Sequence, residues 1–387
     1  MSSLIDDIAK AAESVRKAPQ SYPDGWQPGV VWDGTHGTIT GESANGSPDW
    51  TSLLRYWNFD PAEYEVVEPV NVRTWDAAIG NGEVRRMWYH KANLRRKRAG
   101  AADLSDLLAI VGKRRAANPA PVSQGSAYVL ALNDWQLGKK GTPATVERIV
   151  ASIDASAKRA RAVKPSSIWL AALGDIGEAC DGHYAQQTFE VELDRRDQGI
   201  LARRLLLYAI DAHRVIAPVV MPAVGGNHGE YRKDGKSFTS FGDNDDVAWV
   251  EQVAEACATN PSAYGQVTFL IPREQLTLTV QPVEGGPIVG LAHGHQAKRG
   301  GTTAQQRVET WWKGQAFGGR PVGDAGILLT AHAHHFSIIE NGPRTHIQAP
   351  TIDSGSQWFA ETAGMDSTPS MLSFVITRTG WDDLKLL

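Results

Sequence analysis

Hydrophobic and polar positions along the chain follow two different rhythms. From residue 127 onward, apolar runs of strand length alternate with longer stretches of helical spacing. AYVLALN (127–133), SIWLAAL (167–173) and VIAPVVMPAV (215–224) are the runs, and roughly 143–162 and 186–214 are the helical stretches between them. PIVGLAH (287–293), GILLTAH (326–332), FSII (336–339) and THIQAP (345–350) then follow at close spacing, with ENGPR (340–344) as a hairpin turn. Strands alternating with helices predict an α/β sheet.

The earlier residues are less regular. Helical spacing predicts a short amphipathic helix over 3–17, and 20–48 reads as loops with a short strand around Val30–Trp32. A helix is expected within 49–67, starting at an Asp49 cap and ending near Asn58 and Pro61. NVRTW (71–75) and VRRMWYHKA (84–92) are predicted strands, and 103–116 is predicted helix. The segment 117–126 combines two prolines with small polar residues and reads as a linker. The 387 residues therefore divide into an accessory domain over 1–120, small and α+β, and a larger domain over 121–387.

Composition narrows the class. Apolar residues at 42% and charged residues at 21% are ordinary for a globular chain and exclude a collagen or a disordered polymer. No apolar stretch is long enough to span a membrane, and no signal peptide is evident at the N-terminus, so a cytoplasmic location and no membrane partner are expected. Two cysteines exclude a disulfide framework and a cysteine-based zinc site. The net charge of −4 is unevenly spread: residues 1–83 carry −8 and residues 84–120 carry +8. The bias toward arginine, alanine and glycine suggests a GC-rich genome, bacterial or phage.

Five apolar runs end in residues that can bind metal. Asp134 and Gln136 follow the first, and Asp175 follows the second. Asn227 and His228 follow the third. LAHGHQ (291–296) supplies His293 and His295, and LTAHAHH (329–335) supplies His332, His334 and His335. A strand end fixes the backbone while the loop beyond it opens to solvent, so this is where metal ligands are well placed. Oxygen and imidazole donors suit divalent ions such as manganese, iron or zinc.

In order and content, these five segments resemble the calcineurin-like metallophosphoesterases, which carry Asp-x-His, Gly-Asp, Gly-Asn-His, a His and Gly-His-x-His after successive strands. The resemblance covers about 124–387, and DWQLG (134–138) is similar to the DNA-repair nuclease branch. It implies a four-layer α/β/β/α sandwich with two divalent metal ions, manganese first in expectation and iron, zinc or magnesium as alternatives. It further implies that Asp134 and His334 bind the first metal and that Asp175 bridges both. Asn227, His293 and His332 would bind the second, while His228 stays off the metals as general acid or transition-state stabiliser. Gln136 stands where the family has histidine, and a neutral amide oxygen is a poorer ligand than imidazole. Ala331 stands where glycine is usual.

These readings converge on a phosphodiesterase or nuclease acting on DNA. A phosphomonoesterase or nucleotide phosphatase of the same fold is the first alternative, and an inactive nucleic-acid-binding module the second. Lys298 and Arg299, in the loop after the fourth motif, could steer a phosphate backbone. RRMWYHKANLRRKR (85–98), with Arg95, Arg96 and Arg98, combines phosphate-binding charge with Trp88 and Tyr89 as stacking surfaces; the alternative is a solvated face balancing nearby acids. Glu230 and Asp234 could orient His228. No ATP-binding P-loop occurs, so an ATPase partner would be a separate subunit.

Overall fold

The computed structural model describes residues 29–32, 36–43, 46, 48–61, 64–80, 83–96, 103–117, 125–184, 187–233, 236–354 and 368–387. The helix expected over 3–17 and most of the 117–126 linker lie outside them. The chain forms two units, 1–102 and 103–387.

In the smaller unit, β1 (Gly29–Trp32), β2 (His36–Ser43), β3 (Tyr64–Gly80) and β4 (Glu83–Arg96) form an antiparallel sheet in the order β1-β2-β4-β3. A short helix α1 (Trp50–Tyr56) starts where Asp49 accepts the Ser52 backbone N–H at 3.2 Å, the cap the sequence anticipates. Ile39, Leu54, Ala92 and Leu94 form its core, and Trp32, Phe59 and Tyr64 pack edge to face at 4.9–5.7 Å. Most of the basic stretch lies on β4. Two of its arginines are paired with β3 acids: Arg86 with Asp76 at 3.1 Å and Arg95 with Glu65 at 2.7 Å. Tyr89 is completely buried on this central strand, so it offers no stacking surface, contrary to expectation. The side chain of Arg96 and the whole of Arg98 lie outside the described residues.

The larger unit runs α2 (Ser105–Gly112), β5 (Ser126–Leu132), α3 (Thr142–Val163), β6 (Ser167–Ala172), α4 (Gln187–Glu190), α5 (Arg195–Arg214) and β7 (Val219–Pro222). It continues with β8 (Arg232–Lys233), β9 (Lys236–Ser237), α6 (Asp245–Ala258), α7 (Pro261–Tyr264), β10 (Val267–Leu270), β11 (Thr277–Val280), β12 (Val289–Ala292) and α8 (Ala304–Phe317). It ends with β13 (Ile327–Thr330), β14 (Ser337–Asn341), β15 (Arg344–Gln348), β16 (Leu372–Thr377) and β17 (Gly380–Leu386). One mixed sheet has the order β10-β7-β6-β5-β16-β17, the other β11-β12-β13-β15-β14.

These elements stack in four layers, and burial shows why the apolar runs lack polar alternates. Along β5, Tyr128, Leu130 and Leu132 face the helices α3, α5 and α6, while Ala127, Val129 and Ala131 join β12, β13 and β16 in the core between the two sheets. On the far side of the second sheet, Leu328 packs with Val308 and Trp312 of α8. The result is the expected α/β/β/α sandwich.

Three boundaries differ from the expectations. Helix α2 belongs to the larger unit, where Leu107 and Val111 join its core, so the units divide at 102 rather than 120. The helix expected over 186–214 is broken into α4 and α5, because Asp194 caps a new N-terminus by accepting the Asp197 N–H at 3.0 Å. In the run 215–224 the strand covers only Val219–Pro222, since the residues before it close the end of α5.

Candidate metal centre

Parallel strands β5, β6, β7, β12 and β13 end at one edge of the sandwich, and the five motif loops begin there. The loops are tightly bent. Asp134, Gln136, Asp175, His332 and His334 all have φ between 44° and 70°, a region that ordinary side chains rarely adopt. Among the described residues only four other non-glycine residues have positive φ, so the left-handed conformations concentrate at this edge. Gly226 lies so close to Asp175 that a Cβ there would collide with the Asp175 carboxylate and backbone N–H.

Asp175 is at the centre. It is 1% exposed, and its Oδ1 accepts the His228 backbone N–H at 2.8 Å. Its Oδ2 stands 3.0 Å from His293 Nε2. Asn227 Oδ1 lies 3.1 Å from the same nitrogen. His293 Nδ1 meets the Leu173 carbonyl at 2.7 Å, which orients the ring and turns Nε2 toward the carboxylate. Ligand atoms of Asp175, His293 and His332 lie within 4.8 Å of one another. Burial opposes the charge on both partners, yet the His293 cation holds Asp175 well below the ordinary carboxylate range, and the Asp175 charge pushes His293 up to about 9. Desolvation and the neighbouring His293 charge lower His332, the exposed member of the three, which favours the neutral ring that a ligand needs.

Asp134 joins the same edge. Its Oδ2 accepts from Asn133 Nδ2 at 2.8 Å and from the His332 backbone N–H at 3.1 Å. Its Oδ1 is buried with no hydrogen-bond donor, 3.5 Å from His334 Nε2. Gln136 is in the same loop, but its amide oxygen accepts a hydrogen bond from Lys139 Nζ at 3.0 Å.

His228 is 8% exposed. Its Nδ1 meets the Glu178 carbonyl oxygen at 2.9 Å, and its Nε2 faces Asp175 Oδ2 at 4.0 Å. His183 stacks on its ring at 4.6 Å and 7°. Desolvation and the proximity of His228 lower His183 to about 3. His295 turns away to pair with Glu230 at 3.3 Å, and Glu230 also holds Arg232. Glu230 is thus committed elsewhere and does not orient His228, while Asp234 lies outside the described residues. His90 and His213 are buried structural residues; His213 is held by Ser156 and the Ala209 carbonyl at 2.9 and 2.8 Å.

Two carboxylates at this edge were not anticipated. Glu178 is fully buried behind His228, with Oε1 accepting from Tyr184 at 2.7 Å and Oε2 3.4 Å from His228 Nδ1. Burial pushes its carboxyl up, against the pull of His228 and Tyr184. Its signal was an acid three residues after Asp175. Asp246, at the start of α6, accepts the backbone N–H groups of Asp175, Ile176 and Gly226, each at 2.9 Å. It therefore ties the second motif loop to the third.

Beside the centre lies a cavity of about 360 Å³, lined by Asn227, His332, Arg232, His295, Lys298 and Arg307 among others. Lys298 lines it, whereas Arg299 is exposed and does not. No described helix is long and apolar enough to cross a membrane.

No protein-family model and no curated protein matches the chain. Solved structures similar to it include vacuolar protein sorting 29 from Cryptosporidium parvum, at 14% identity over 68% of this chain and 97% of that one, with a TM-score of 0.33. A novel archaeal phosphodiesterase matches at 9% identity over 68% and 99% of the two chains, with a TM-score of 0.33. Phosphopantetheinyl hydrolase from Mycobacterium tuberculosis matches at 11% identity over 63% and 95%, with a TM-score of 0.26. The four layers, with five motif loops on one edge, are the architecture that the sequence resemblance to calcineurin-like metallophosphoesterases implies.

Proposed function

We propose that the larger unit is a metal-dependent phosphoesterase that hydrolyses phosphodiesters, with DNA as its substrate. One observation carries this reading: ligand atoms of Asp175, His293 and His332 converge within 4.8 Å at the ends of separate strands. Asn227 Oδ1 adds a neutral oxygen on the same side, and the buried, donor-less Asp134 Oδ1 fits a cation nearby. This donor set fits a divalent ion such as manganese, with iron, zinc and magnesium as the competing metals. When bound, such an ion supplies Lewis-acid stabilisation of phosphoryl oxygens and lowers the pKa of a coordinated water.

The chain's own residues supply the rest. His228 has its Nδ1 engaged by the Glu178 carbonyl, which leaves Nε2 as the atom facing the centre. From there it can deliver a proton to the leaving oxygen, with the Glu178 carboxyl group 3.4 Å behind Nδ1. Arg232, Lys298 and Arg307 give the adjoining cavity a cationic lining suited to further phosphates of a longer substrate. The basic strand of the smaller unit carries charge suited to nucleic acid, and any ATPase partner would be a separate chain.

The test compares hydrolysis of bis-p-nitrophenyl phosphate and p-nitrophenyl phosphate with Mn²⁺ and with EDTA, followed by single- and double-stranded DNA. Metal-dependent cleavage of the diester and of DNA is expected. Preference for the monoester overturns the nuclease reading in favour of a phosphatase. Inactivity on every substrate, with metal bound, makes the unit a binding module. Reversing Arg95, Arg96 and Arg98 to Glu should weaken DNA binding and flatten its salt dependence; an unchanged slope would make the stretch a balanced surface, as the Arg95–Glu65 pair allows.

A further inference from the structure

A buried ion pair stands beside the Asp134 side of the centre. Lys139 Nζ donates to Gln136 Oε1 at 3.0 Å and meets Asp353 Oδ2 at 2.5 Å. The lysine and aspartate side chains are 11% and 2% exposed, so this ion pair is shielded from water. Thr351 Oγ1 lies 2.9 Å from Asp353 Oδ1 and 2.9 Å from the Asp134 carbonyl oxygen, so its one proton can be donated to either. A closed chain of contacts thus runs from Gln136 through Lys139, Asp353 and Thr351 to Asp134.

That chain decides what Gln136 can do. A ligating amide must turn its oxygen to the metal, but this oxygen already serves an ammonium that a buried carboxylate holds in place. A divalent ion on the same oxygen would sit beside a fixed positive charge in a poorly solvated region, where like charges repel strongly. The Asp134 side is left with Asp134 Oδ1 and His334 Nε2, whereas the other side has Asp175, Asn227, His293 and His332.

We propose that the centre holds one divalent ion tightly, on Asp175, Asn227, His293 and His332, and that the Gln136–Lys139–Asp353 chain keeps the Asp134–His334 position weak, with the Lys139 ammonium standing as a fixed charge beside it. Gln136 is then a tether for Lys139 and not a metal ligand. This rests on the metal-dependent reading above, and the experiment separates the two.

The metal-stripped full chain is titrated with Mn²⁺, with binding followed calorimetrically and by electron paramagnetic resonance. We expect one tight equivalent, with any second ion at least about tenfold weaker, as follows from the unequal donor sets. Gln136→Ala should keep the tight equivalent. The triple variant Gln136→His, Lys139→Met, Asp353→Asn supplies an imidazole and removes both charges, and should draw the second ion about tenfold tighter. If this variant fails to fold, the wild-type and Gln136→Ala titrations still decide. Two equal tight sites in the wild type, loss of the tight ion in Gln136→Ala, or a folded triple variant with an unchanged second site each overturns the proposal. None of these outcomes touches the metal-dependent reading, whereas failure of the wild type to bind any ion overturns that reading itself.

Discussion

Asp246→Ala should unfasten the loops that carry the centre. The carboxylate is 2% exposed and accepts three backbone N–H groups, from Asp175, Ile176 and Gly226. Alanine leaves all three donors buried without an acceptor. An orphaned buried donor costs about 1–3 kcal/mol, so the three together cost about 3–9 kcal/mol before the loops relax. Part of this is offset, because the native carboxylate is itself disfavoured: burial and the Asp175 charge push it up to about 6 against the pull of its three bonds. A net loss of about 3–4 kcal/mol is expected, a large share of the roughly 5–15 kcal/mol that holds an ordinary domain. Asp246→Asn keeps one carbonyl oxygen and should lose about 1–2 kcal/mol. Urea unfolding at neutral pH, followed by tryptophan fluorescence in the transition of the larger unit, measures both. A loss below about 1 kcal/mol for the alanine variant would refute the idea that these bonds hold the two loops together.

Three further outcomes follow from the charges at the centre. Lys139→Met removes the ammonium that pairs with the buried Asp353 carboxylate and should cost about 3–5 kcal/mol at pH 7. In the wild type, burial opposes ionisation of Asp353 but Lys139 and His334 lower its pKa, so its contribution is present above its unfolded value and lost as pH falls through the folded one. In the variant the carboxyl titrates higher, so the deficit should shrink from pH 7 to pH 5; an equal deficit at both values contradicts the pairing. His293, pushed up to about 9 by Asp175 against its burial, is protonated at neutral pH in the metal-free protein. Mn²⁺ must displace that proton, so calorimetry in buffers of different ionisation enthalpy should find about one proton released, and affinity should rise about tenfold per pH unit up to that value. Binding without proton release would place the ion elsewhere. His228→Asn should keep the tight ion and slow turnover by about 10²-fold or more, and loss of the ion would make His228 a ligand instead.

Sequence pattern made some parts of this structure legible and hid others. The runs that became β5, β6, β12 and β13 stood out because both faces of each strand are buried, so no polar residue interrupts them. Strand ends then marked Asp134, Asp175, His293 and His332, and folding gathers them at one edge. What was hidden depends on contacts that no local pattern records. Lys139 and Asp353 are 214 residues apart, and nothing near either one announces a buried ion pair. Asp246 carries no local signal of its role, because its three partners come from two distant loops. Tyr89 sat among arginines and looked available for stacking, but β4 is a central strand and the ring is completely buried. The domain boundary was misplaced for a related reason: the proline-rich segment lies after α2, while packing of Leu107 and Val111 decides which unit that helix joins.

The proposed function requires a divalent ion at Asp175 that enables phosphodiester hydrolysis. Mn²⁺ binding and bis-p-nitrophenyl phosphate hydrolysis, measured on the same samples of wild type and Asp175→Asn, test this most directly. The wild type should bind the ion and hydrolyse the diester only with it, and Asp175→Asn should lose both together. Wild-type turnover that survives EDTA, or an Asp175→Asn variant that binds and hydrolyses as the wild type does, would contradict the account.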